Sequence, residues 1–184
     1  MTYIEKLNDD ERSLLIALPY RVGLWISESD QTGGEEADAY ERQALESILY
    51  GFAEDYCKSE FVEEIMKQTI AHRDKWEKWG ENLDRVPDEV RKAVLITQGR
   101  MPQNDVLSLR VTLQQIAHAI AAAFREIDPE PSFSVRAGIF CRYAVARVKS
   151  VMKKQAPRPL EDFYNISKAE DAALAELDRA LGLK

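Results

Sequence analysis

Apolar residues recur along this chain at the spacing of a helix face, and no segment alternates apolar and polar residues as a half-buried strand does. The stripes succeed one another from end to end. Leu14, Leu18, Val22, Trp25 and Ile26 form the first, and Leu45, Ile48, Leu49, Phe52 and Tyr56 the second. Phe61, Ile65, Thr69, Trp76 and Trp79 follow, then Val90, Val94 and Thr97. A longer stripe of Val106, Leu109, Leu113, Ile116, Ile120 and Phe124 carries Leu107, Val111 and Ala122 on another side. Ala137, Phe140, Ala144, Val148 and Val151, and finally Leu174, Leu177 and Leu181, complete the series. The pattern predicts one all-α domain over residues 1–184, a bundle of about seven helices. The 105–126 helix is apolar over much of its circumference, which predicts a central, mostly buried element. Only 8 Gly and 7 Pro in 184 residues agree, since a many-stranded sandwich needs more turn residues.

Punctuation fits the same reading. Asn8 with Glu11 three residues on makes a capping box, and so does Ser167 with Glu170. Ser59 is a further N-cap, and the spacing predicts one helix from there to Trp79, stopped by Gly80. Val86-Pro87-Asp88 opens a helix that Gly99 stops. Pro19 lies inside the first stripe and removes a ladder hydrogen bond, which predicts a kink or two abutting helices. Asp128-Pro129-Glu130-Pro131 is a rigid connector ahead of a basic helix over 134–154. Residues 156–184 read as a C-terminal helical segment that either docks on the core or stands off as an arm.

Charge is distributed unevenly. Glu28 to Glu64 holds 12 acidic residues against Arg42 and Lys58, whereas Pro131 to Leu160 holds 7 basic residues and no acid. The cations of the 136–158 stretch spread around several sides of the helix, and the chain is acidic as a whole, which argues against nucleic acid. Pairing with the acidic 28–64 region, within the chain or across a protein interface or homo-oligomer, accounts for them more simply. Cys57 and Cys141 are read as buried free thiols, and no CxxC motif suggests a thiolate metal site. With no visible signal segment and no apolar run near the ~18 residues of a membrane span, the expected setting is the cytoplasm.

No Gly-rich phosphate loop, GxSxG or HExxH motif is present, so no catalytic residue is assigned. His72 and His118 are the two histidines. His72 with Trp76 and Trp79, and His118 beside Gln114 and Gln115, mark a candidate small-molecule pocket around His72, Trp76 and His118. The competing reading is core packing with hydrogen-bonded polar groups.

The sharpest local feature is the segment Glu28 to Glu41, which carries Asp30, Glu35, Glu36, Asp38 and Glu41 around Gly33-Gly34. Several carboxylates on an adaptable loop suit a hard divalent cation, Ca²⁺ or Mg²⁺. It is not an EF-hand. Counting from Glu28 puts Ala39 at the twelfth position, and counting from Asp30 puts Glu35 where glycine is obligatory. Asp38 is read as the N-cap of the following helix, with Glu35 and Glu36 near its positive end.

Trp25-Ile26-Ser27-Glu28-Ser29-Asp30, the glycine loop and the acid Glu41 eleven positions later resemble the tellurite-resistance TerB-like family over roughly residues 14–52. Asp30 matches the family's turn aspartate and Glu41 its downstream acid. Ser29 stands where the family has Ala, and Gly33 lies later than a direct Asp-Gly. The resemblance implies a helical, non-enzymatic protein associated with metal ions and stress-response complexes. The expected function is therefore a helical interaction module with an acidic, cation-binding inter-helix loop. The alternatives are the pocket near His72 and His118, or a purely structural partner protein.

Overall fold

The computed structural model describes residues 3–29, 35–56, 59–123 and 168–183. They form seven α-helices and no strand: α1 (Asp9–Ser27), α2 (Glu35–Gly51), α3 (Glu60–Ala71), α4 (Trp76–Trp79), α5 (Val86–Gln98), α6 (Gln103–Ala123) and α7 (Lys168–Leu181). A π-helical turn, Phe52–Tyr56, follows α2. The all-α bundle is as the periodicity predicts. The basic helix expected over 134–154, Cys57, Cys141 and the Ser167 cap lie outside the described residues.

The centre of the bundle is a pair of helices. α6 packs on α1, α2, α3, α5 and α7, and its closest partner is α1. Leu109, Leu113, Ile116 and Ile120 are sealed from solvent, but Leu107 is half-exposed and Ala122 exposed. α1 is buried more completely than α6: every residue from Leu15 to Leu24 is buried, covering more than two full turns and hence all sides. It meets α2, α3, α4, α5, α6 and α7. The central helix is thus α1 at least as much as the 105–126 element.

One continuous helix runs across Pro19, and the alternative of two abutting helices is not what forms. The ring removes one donor to the Leu15 carbonyl, a loss that burial on every side of α1 outweighs. The start is fixed by Asn8. Its Oδ1 accepts from the Glu11 N–H at 2.9 Å, and Glu11 Oε2 accepts from the Asn8 N–H at 3.1 Å. Gly23 lets α1 approach α2 and α6 closely: a Cβ there would overlap Leu45 Cδ1 and touch Ile116 and Ile120 at 3.6 Å.

Two boundaries correct the sequence reading. α2 begins at Glu35, directly after Gly34, so Asp38 lies inside the helix rather than capping it. Glu35 and Glu36 then occupy the first turn, where the helix dipole favours acidic residues. The single helix expected over 59–79 breaks at His72 (φ −98°, ψ 31°) into α3, a 3₁₀ turn Arg73–Lys75 and the one-turn α4. The break turns Trp76 back, so that its indole N–H donates to the Thr69 carbonyl at 3.0 Å.

α7 docks on the core rather than standing off as an arm. Leu174, Leu177 and Leu181 are buried against α5 and α6, and Gly182 ends the helix at φ +66°.

Candidate functional site

The acidic segment links α1 to α2. α1 closes at Ser27, the Glu28 N–H reaches the Leu24 carbonyl at 2.9 Å, and the Ser29 hydroxyl donates to the Ile26 carbonyl at 2.7 Å. Asp30 and Gly33-Gly34 lie outside the described residues. Glu35, Glu36, Asp38 and Glu41 fall in the first two turns of α2, and their side chains likewise lie outside what is described. Among the described residues, no group of three or more His, Cys, Asp or Glu side chains converges to hold a metal ion.

Tyr20 borders this segment. Burial pushes its phenol above the ordinary 10.0, Arg42 pulls it back, and Glu28 pushes it further up. On its other side Tyr20 stacks on Trp76, ring centroids 4.6 Å apart, and tilts against Trp79 at 6.4 Å. Arg73 lies over the Trp76 ring at 5.9 Å and forks onto Glu46 of α2 at 2.7 and 2.8 Å. Aromatic packing thereby ties α1, α2 and the α3–α4 turn together.

The candidate pocket residues fall on three elements: His72 at the end of α3, Trp76 in α4 and His118 in α6. His72 caps α3. Its Nδ1 lies 2.9 Å from the Gln68 carbonyl, and its ring is 6.5 Å from that of Trp79. Trp76 is buried, with one face on Tyr20 and its N–H satisfied by Thr69. His118 is half-buried on α6, one turn beyond Gln114, whose amide donates to Asp178 of α7 at 2.6 Å. Gln114 is therefore engaged in docking α7.

Among the described residues, the most elaborate polar cluster centres on a residue that belongs to no sequence motif. Arg21, in the apolar α1, is 7% exposed and uses all five of its N–H donors. Nε and one Nη2 hydrogen go to the Glu89 carboxylate of α5, at 2.7 and 3.2 Å. The other Nη2 hydrogen goes to the Asn82 carbonyl at 3.1 Å, and Nη1 goes to the carbonyls of Glu81, at 2.9 Å, and Trp79. Those three carbonyls belong to the turn between α4 and α5, where Asn82 sits in the left-handed region at φ 52°. The guanidinium occupies the place a bound cation would take in such a carbonyl nest. Its donors are spent, so the cluster is a clamp rather than a ligand site.

Among the described residues, α6 is the one helix long and apolar enough to cross a membrane, and here it forms part of the core. Compared with family models, curated proteins and solved structures, the chain matches none.

Proposed function

We propose that the chain is a non-enzymatic helical interaction module whose acidic α1–α2 connection takes a divalent cation, of the stress-response type that the TerB-like resemblance implies. The observation that carries this reading is the start of α2. Because the helix begins at Glu35, Glu35, Glu36 and Asp38 fall within its first turn, directly after Gly33-Gly34 and facing back in sequence to Glu28 at the end of α1. Carboxylate oxygens clustered in sequence at a helix start suit Ca²⁺ or Mg²⁺ better than a thiol- or imidazole-seeking metal.

Calorimetric titration of the protein with Ca²⁺, Mg²⁺ and Zn²⁺ is the test. The expected result is saturable heat with Ca²⁺ or Mg²⁺ that disappears when Asp30, Glu35, Glu36, Asp38 and Glu41 are replaced together by their amides. Absence of heat from all three ions, or equal heat from the amide variant, overturns the reading.

A further inference from the structure

We draw no further inference here: the strongest candidate, the apolar outer face of α6 that holds Leu107, Val111 and Ala122, carries nothing because no observation among the described residues shows what covers it.

Discussion

Arg21 and Glu89, 68 residues apart, meet as a fork-to-fork ion pair with Nε–Oε2 at 2.7 Å, inside a turn that supplies three further carbonyls to the same guanidinium. The pair joins α1 to α5, and the carbonyls fasten the α4–α5 turn to both. Removing the carboxylate leaves a buried cation unpaired, so Glu89→Gln should destabilise the fold by about 3 kcal/mol, the low end for a broken buried pair because the Glu89 side chain keeps 26% exposure. Arg21→Lys should cost about 2 kcal/mol, since a point ammonium cannot serve five acceptors arranged for a planar fork. Urea unfolding of the two variants checks both. A loss under about 0.5 kcal/mol, the size of an ordinary surface substitution, would show that the clamp is dispensable.

At Gly23 two effects oppose each other. Gly→Ala in a helix gains about 1 kcal/mol of propensity, whereas the methyl must displace the Leu45 terminus in a packed core, at about 1–3 kcal/mol. Gly23→Ala should therefore be net destabilising, and a smaller residue at 45 should relieve the clash. In a double-mutant cycle with Leu45→Val, the two losses should sum to more than the double variant shows. Strict additivity would mean that α1 and α2 do not touch here.

The Asn8–Glu11 capping box separates two roles for Glu11, whose carboxylate also pairs with Arg100 ahead of α6. Asn8→Ala should lower stability by about 1 kcal/mol through loss of the cap. Glu11→Gln keeps an acceptor for the Asn8 N–H and loses only the charge on the Arg100 pair. Its cost should stay below about 1 kcal/mol and shrink in high salt. A salt-independent loss larger than that of Asn8→Ala would contradict this division.

Alkaline titration probes the Tyr20 stack. Burial raises the folded-state pKa of Tyr20 above its unfolded value, so the folded protein holds the proton more tightly. The corresponding stability is fully present below pH 10 and is lost as pH rises through the folded pKa. Melting curves from pH 9 upward should show a decline that Tyr20→Phe flattens. An unchanged slope in Tyr20→Phe would assign the decline to other groups.

Much of this architecture is written locally. The Asn8 and Ser59 caps, the limits of α5 and the Gly182 stop each depend on residues within a turn of one another, and all stand where the sequence puts them. Arg21 is different. In sequence it is a polar interruption of an apolar stripe, and its acceptors come from residues 58 to 68 positions away. The break at His72 was also hidden, because Phe61, Ile65, Trp76 and Trp79 keep helical spacing across it. What decides there is the satisfaction of the Trp76 indole by Thr69. The small-molecule pocket suggested by His72, Trp76 and His118 had no local signature beyond residue type. The structure gives Trp76 a stack on Tyr20 and gives Gln114, the neighbour of His118, to α7. The carboxylates of 30–41 were legible as a cluster, yet where they point depends on how α2 meets α1, which no short-range pattern specifies.

The burial of α1 on every side has a consequence for how the chain is made. α1 leaves the ribosome before any of the helices that cover it, and α6, its closest partner, ends at Ala123. At about 5–20 residues per second, the side of α1 that α6 covers waits for several seconds or more before its partner is complete. That interval is a window for capture by chaperones or for aggregation. Its length is set by the order in which the helices are encoded, not by the stability of the finished bundle.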